Sequence, residues 1–252
     1  MYGTLANSPW PSLSPAPLVL VPLGSTEQHG PHLPFSTDTI IASAVAERVA
    51  DGMFDGTYSV IVAPALPYGA SGEHQDFPGT VSIGTEALTT VIIELVRSLS
   101  TWAGRIVLVN GHGGNLAALS AAVPQLIREG HAVAWAPCTV SGGDAHAGIT
   151  ETSLLLHLNA QLVHLEWAVF GASAPMSTLL GRLAAEGVRS VSPSGILGDP
   201  TDASAELGAA LLNEMCTGVH RRTLGASIDS RGCLRDPGQP ERPAARITDG
   251  LP

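Results

Sequence analysis

The chain has 252 residues, the length of one α/β domain with its own core. Apolar residues make up 44% of it, which excludes disorder for the bulk of the chain. The net charge of −10 argues against nucleic acid and anionic membranes as partners. All twelve basic residues are arginine, which excludes Schiff-base lysine chemistry and a Walker-A lysine. Charged residues reach only 13%, against about 25% in typical soluble domains, and this favours a homo-oligomer.

The sequence shows no signal for export or membrane insertion. The longest apolar run near the start covers residues 18–23 and contains Pro22, far below the roughly 20 residues that a membrane span needs. No cationic segment precedes it, so a secretory signal is not expected. The three cysteines are too far apart for a disulfide framework or a CxxC site. These features predict a cytoplasmic protein.

In chain order, residues 1–17 contain four prolines and predict an irregular arm. Residues 18–225 form the predicted domain, in which short apolar runs alternate with patterns of helical period. The segment 226–252 is rich in Arg, Pro, Gly and Asp and predicts a flexible tail. The predicted strands are 18–23, 60–66, 105–110 and 132–137. The predicted helices are 38–50, 86–103, 116–129 (kinked or interrupted at Pro124), 151–158, 176–186 and 204–221.

This alternation predicts a three-layer αβα sandwich with a mainly parallel sheet, whose ligand site lies at the carboxyl ends of the strands. Titratable side chains follow all four predicted strands. They are Glu27, His29 and Asp38 after the first strand, His74 after the second, His112 after the third, and His146 and Glu151 after the fourth. Bringing such titratable groups together costs free energy unless each is paired, and a bound cation can pair with several of them at once. Nitrogen and oxygen ligands without thiolates suit Zn, Mn or Fe(II).

Single residues of this set have simpler interpretations. Asp38 alone, or Glu151 alone, fits a carboxylate at a helix N-terminus, where the helix dipole favours it. A lone histidine in a Gly-rich loop is more often a hydrogen-bonding or surface group than a ligand. Cys138 ends a predicted strand beside the site, where a small buried residue is favoured over a catalytic one. The metal hypothesis therefore depends on the four loops together.

Five motifs occur in order: Ser25-Thr-Glu-Gln-His-Gly-Pro-His-Leu-Pro34, Asp38, Phe77-Pro-Gly-Thr80, Asn110-Gly-His-Gly-Gly-Asn115 and His146-Ala-Gly-x-x-Glu-Thr-Ser153. Over roughly residues 18–220 the chain thereby resembles the creatininase (creatinine amidohydrolase) family. Segments 69–75, 82–89 and 137–139 are most similar to a peptidase branch that releases a C-terminal Val-Tyr dipeptide from a modified precursor peptide. The resemblance implies a hydrolase of C–N bonds that assembles as a hexamer or a similar homo-oligomer.

The resemblance also implies two divalent metal ions, Zn, Fe(II) or Mn. Glu27 and His112 would hold one ion, His29 the other, and Asp38 would bridge them, with His146 as the acid/base group. Creatinine-hydrolysing members carry a glutamate ligand where this chain has Gly114, and Glu151 is the expected substitute. They also carry a tryptophan-containing insertion before the His146 motif, so a more open mouth is expected here. Both differences favour a peptide over creatinine.

The expected reaction is amide hydrolysis at two cations that activate a shared hydroxide. His146 protonates the leaving amine, because an amine anion cannot depart at neutral pH. His74 is expected to orient the substrate. The Gly113-Gly114-Asn115 turn either binds an anion through its backbone N–H groups or allows tight packing of the strand against the helix.

Two alternative functions stay open. The first is a small-molecule amidohydrolase of the same family, acting on creatinine, a formamide or a lactam. The second is a nucleotide-binding module with Gly111-x-Gly113-Gly114 as its loop. The second leaves Glu27, His29 and Asp38 unexplained.

Overall fold

The computed structural model describes residues 3–53 and 59–238. Its five-stranded sheet is parallel throughout and has the order β1-β3-β2-β4-β5. The strands are β1 (Gly3–Thr4), β2 (Leu18–Leu23), β3 (Val60–Val62), β4 (Arg105–Asn110) and β5 (Val133–Pro137). The α-helices are α1 (Thr37–Met53), α2 (Gly84–Leu99), α3 (Leu116–Arg128), α4 (Ile149–Asn159), α5 (Met176–Glu186), α6 (Val188–Val191) and α7 (Ala205–Gly225). Short 3-10 turns include Gly72–His74 and Gly113–Asn115.

Alternate residues of each strand enter two separate cores, as the period of two in a strand requires. Leu20 of β2 belongs to the core beneath α1, α4 and α7. Its neighbours Val19 and Val21 belong to the core beneath α2 and α3. Helices therefore cover both faces of the sheet, and the predicted three-layer αβα sandwich is confirmed.

Two differences from the predicted elements occur at prolines. The second predicted strand, 60–66, is a strand only over Val60–Val62. Pro64 has no N–H to donate to a ladder, and Leu66 keeps only an isolated bridge to Leu23. Helix α3 continues through Pro124 without interruption.

Both ends of the described chain depart from the predicted arm and tail. In the segment 1–17, β1 pairs with β3 and forms the edge of the sheet. Residues 226–238 pack onto the domain: Leu234 is fully buried, and its N–H donates to the Trp135 carbonyl over 2.8 Å. Composition misses this because the buried Leu234 and hydrogen bonds between Trp135 and the backbone of residues 231–234 hold a segment that is otherwise mostly polar. The rest of the predicted tail, 239–252, lies outside the described residues.

The chain order places a crevice at the middle of the sheet. From β2 the chain passes through α1 to β3 on one side, and from β3 through α2 to β4 on the other side of β2. The carboxyl ends of β2 and β4 therefore lie at a topological switch point, where open α/β sheets bind ligands. Within residues 3–53 and 59–238, every helix is too short or too polar to cross a membrane.

Candidate metal centre

A first group of ligand-type side chains lies directly at the switch point. Glu27 follows β2, Asp38 is the second residue of α1, and His112 follows β4. His112 Nε2 lies 3.0 Å from Glu27 Oε2, and His112 Nδ1 lies 3.3 Å from Asp38 Oδ2. Ser25 Oγ donates a hydrogen bond of 2.7 Å to the same Asp38 oxygen. The three side chains are buried and close enough to share one ion.

A second group lies on the other side of Asp38. His29 Nε2 is 3.2 Å from Asp38 Oδ1 and 3.7 Å from Glu151 Oε2. The rings of His29 and His146 have centroids 4.3 Å apart, and these two histidines form with Glu151 another set that could hold an ion. The two oxygens of Asp38 thus face different groups. This is the arrangement that a bridging carboxylate requires.

Glu27 gives the most direct support for a cation. Its side chain is fully buried, and in the described part of the chain neither carboxylate oxygen accepts a well-aligned hydrogen bond, although His112 Nε2 lies 3.0 Å from Oε2 and His74 Nε2 lies 3.4 Å from Oε1. A buried carboxylate that is poorly hydrogen-bonded is costly, and a bound cation removes that cost. Imidazole nitrogens and carboxylate oxygens around it form a donor set suited to Zn, Mn or Fe(II). The residues present therefore fit a divalent metal.

The electrostatics of the site also demand positive charge. Burial would raise the pKa of Asp38, but the charge of His29 and hydrogen bonds from both His112 and His29 hold it well below its ordinary value. Burial would lower the pKa of His29, but Asp38 and Glu151 raise it to about 10. Burial raises the pKa of Glu151 to about 7, against the lowering effect of His29. The buried acids attract any cation that can enter.

Glu151 lies where it can act both as a carboxylate at a helix N-terminus and as a metal ligand. It lies in the first turn of α4, and its Oε2 accepts a hydrogen bond of 2.6 Å from the Ala147 N–H. The same oxygen faces His29 at 3.7 Å. Glu151 therefore makes a contact at the helix terminus and also lies beside the second group of ligand-type residues.

The structure adds Gln28 and Glu73 to the site, although no sequence pattern marks either residue. Gln28 Nε2 lies 2.8 Å from His74 Nδ1 and 3.0 Å from His146 Nε2. Glu73 Oε1 lies 3.7 Å from His112 Nε2, and burial raises the pKa of Glu73. Both residues lie in loops that follow predicted strands, but the residues that they contact are distant in sequence and could not be predicted.

Gly114 is tightly enclosed. A side chain there would overlap the Ala70 carbonyl oxygen and His112 Nε2, and its Cβ would lie 2.7 Å from Glu73 Oε1. A Cβ on Gly113 would meet nothing within 4 Å. The two adjacent glycines therefore have different requirements, and only Gly114 is needed for close packing around His112.

Asn115 and Cys138, two residues that the sequence places beside the site, make structural contacts. Asn115 is fully buried, and its side chain joins three loops by accepting from Ala70 N and donating to Gly24 O, each at 3.0 Å, and to Asn110 Oδ1. Its own N–H bonds the His112 carbonyl, so it has no N–H left for an anion. Cys138 packs against the core beneath α1, α4 and α7, and burial raises the pKa of its thiol. Among the described residues, neither lines the cavity.

A cavity of about 720 Å³ opens over the site. Its floor contains Asp38, His74, His112, His146 and Glu151. Its outer wall is formed by α5, which contributes Leu180, Leu183 and Ala184. The mouth is therefore bordered on this side by apolar side chains of α5.

Comparison with known proteins agrees with this fold and site. The model of the family described as creatinine amidohydrolase matches residues 7–222. The chain belongs to the creatininase family. This confirms the expected family, the fold and, for the family, hydrolysis of C–N bonds.

Named relatives refine the position within the family. The chain is 51% identical over 222 residues to the mycofactocin precursor peptide peptidase of Mycolicibacterium smegmatis, covering 88% of this chain and 90% of that protein. A solved creatininase in its Mn form superimposes with a TM-score of 0.70 at 26% identity, over 87% of this chain and 96% of the other. A creatininase variant of the Zn-Zn type gives 0.69 at 25% identity, over 87% and 96%. The peptidase is thus much more similar in sequence than these two creatininases.

Proposed function

We propose that this chain is a dinuclear metal-dependent peptidase that releases the C-terminal Val-Tyr dipeptide from the mycofactocin precursor peptide. The observation that carries the metal chemistry is the buried carboxylate of Glu27, which accepts no well-aligned hydrogen bond among the described residues, beside an Asp38 whose two oxygens face two groups of ligand-type residues. The substrate rests on the 51% identity to the M. smegmatis peptidase.

In this proposal, Glu27, Asp38 and His112 would hold one ion, and His29, Asp38 and Glu151 would hold the second. Support comes from the distances of 3.2 and 3.3 Å that join the two Asp38 oxygens to His29 and His112. Glu151 takes the place of a ligand at position 114, where a side chain does not fit. Bound divalent ions lower the pKa of water and polarise a carbonyl oxygen.

His146 moves the proton that amide hydrolysis requires. Its Nε2 lies 2.8 Å from the Gln28 carbonyl oxygen, which leaves Nδ1 facing Glu27 Oε1 at 3.7 Å. As the water oxygen bonds to the scissile carbonyl carbon, Nδ1 accepts a water proton. It then passes that proton to the amide nitrogen as the C–N bond breaks, so that a neutral amine leaves.

The cavity favours a peptide over a small ring substrate. Its volume of about 720 Å³ lies well within the range of sites for drug-sized ligands. The apolar α5 wall, with Leu180 57% exposed, offers a surface for side chains next to the scissile bond. We assign substrate side-chain contact to this wall.

The test is cleavage of a synthetic precursor peptide by the metal-loaded chain, followed by mass spectrometry. We expect free Val-Tyr dipeptide and the shortened peptide, and loss of both products after chelation. The His146→Ala variant is the matched control for contaminating peptidases. Hydrolysis of creatinine, a formamide or a lactam with an intact peptide would contradict the proposal and favour the small-molecule amidohydrolase.

We further infer that the chain works as a homo-oligomer, a hexamer or similar, in the cytoplasm. Among the described residues, a run of exposed apolar side chains supports assembly: Leu165, Trp167, Val169 and Phe170. Sedimentation equilibrium measures the oligomer, and a monomer at micromolar concentration would contradict this inference.

A further inference from the structure

We propose that Gln28 is a positioning residue that fixes which ring nitrogen carries the proton on His74 and on His146. His74 then directs an N–H group from Nε2 toward Glu27 Oε1, and His146 keeps a lone pair on Nδ1. The use of these two groups in hydrolysis rests on the proposed function, whereas their proton positions follow from the hydrogen bonds alone.

The orientation of the Gln28 carboxamide is fixed by two backbone groups. Its Oε1 accepts from the Gly30 N–H over 2.9 Å, and its Nε2 donates to the Gly195 carbonyl over 3.1 Å. A backbone N–H only donates and a carbonyl only accepts, so the carboxamide cannot be turned over. Gly195 has a φ of +83° and would overlap this carboxamide if it had a side chain. The close approach is therefore built into the loop.

The proton on His146 follows from the backbone of residue 28. His146 Nε2 lies 2.8 Å from the Gln28 carbonyl oxygen, which can only accept. The proton must therefore be on Nε2, and Nε2 cannot accept from the Gln28 amide 3.0 Å away. The neutral ring keeps its lone pair on Nδ1, which faces Glu27 Oε1 at 3.7 Å.

The proton on His74 follows by elimination. One of the two Gln28 amide hydrogens goes to Gly195, and His146 cannot take the other. The remaining acceptor is His74 Nδ1 at 2.8 Å, which must offer a lone pair. The His74 proton is then on Nε2, 3.4 Å from Glu27 Oε1.

This assignment separates two histidines that distance alone does not separate. Glu27, His74 and His146 lie close enough together to hold an ion. A neutral imidazole that accepts at Nδ1 has no second lone pair for a metal, so His74 is excluded as a ligand. His74 instead directs its N–H toward Glu27 Oε1, 3.4 Å away. His146 must accept a proton before it can donate one.

The test is nitrogen-15 NMR of the Zn-loaded protein with labelled histidine, with signals assigned by His74→Phe and His146→Phe. In the unmodified chain we expect protonated Nε2 and unprotonated Nδ1 on both rings. In Gln28→Glu the side chain accepts instead of donating, so the His74 proton should move to Nδ1. His146 should keep its proton on Nε2, because the backbone carbonyl of residue 28 holds it.

Kinetics supply a second readout. Gln28→Glu should lower kcat by about 10–100-fold, the usual effect of a residue that orients functional groups, with KM and zinc content unchanged. Gln28→Met, of similar size, should lower kcat likewise but give mixed His74 tautomers. A His146 proton on Nδ1 in the unmodified chain, or a His74 proton that stays on Nε2 in Gln28→Glu, would overturn the proposal. If the variants fail to fold, the spectrum of the unmodified chain decides alone. Expected tautomers with no peptide cleavage would refute only the proposed function.

Discussion

Replacing Gly114 with alanine should disable the metal centre. The added methyl group would overlap the Ala70 carbonyl oxygen and His112 Nε2, and would lie 2.7 Å from Glu73 Oε1. Overpacking of this kind costs about 1–3 kcal/mol when neighbours can move. Here the groups that must move are backbone and a proposed ligand. A displacement of about 1 Å at a reacting group lowers the rate about 100-fold, so we expect a loss of that order in kcat/KM.

Gly113→Ala is the matched control, because a Cβ at position 113 would meet nothing within 4 Å. The assays are kcat/KM on the precursor peptide, metal content by mass spectrometry, and thermal denaturation. We expect Gly113→Ala to retain wild-type values, and Gly114→Ala to lose activity and bind metal more weakly. Equal losses in the two variants, or full activity in Gly114→Ala, would refute the packing argument.

Four further substitutions test individual roles. Asp38→Ala should abolish both metal binding and peptide cleavage, because two cations would lose the carboxylate between them; two ions per subunit by mass spectrometry would disprove the bridge. Glu151→Gln should keep the fold but lower occupancy to about one ion per subunit, because an amide is a poorer, uncharged ligand. His146→Ala should leave metal content unchanged and slow amide hydrolysis by about 10²–10⁴ in kcat, with a smaller loss for the matching ester, whose leaving group needs a proton less. Leu183→Asp should raise KM for the peptide without changing metal content, and an unchanged KM would remove α5 from the substrate site.

The residues around the two strand ends were predictable because local signals mark them. Glu27, His29 and His112 follow apolar runs, and parallel strands bring such loops to one edge of the sheet. Asp38 was predictable from its place at the start of a helical pattern. These four required no knowledge of distant contacts, only the order of strands and helices.

The rest of the site depends on partners far apart in the chain. Gln28 contacts His74 and His146, which are 46 and 118 residues away, and no local pattern encodes those bonds. Asn115 had a plausible role as an anion contact, but its side chain is used to join Gly24 and Ala70. Sequence reasoning finds the groups at strand ends but not the hydrogen bonds that divide their roles.

Anomalous diffraction at the zinc edge from crystals of the Zn-loaded chain tests the central claim most directly. The proposal predicts two zinc peaks, one beside Glu27 and His112 and one beside His29 and Glu151, with an oxygen of Asp38 bound to each. A single peak, or two peaks without Asp38 between them, would contradict the dinuclear centre.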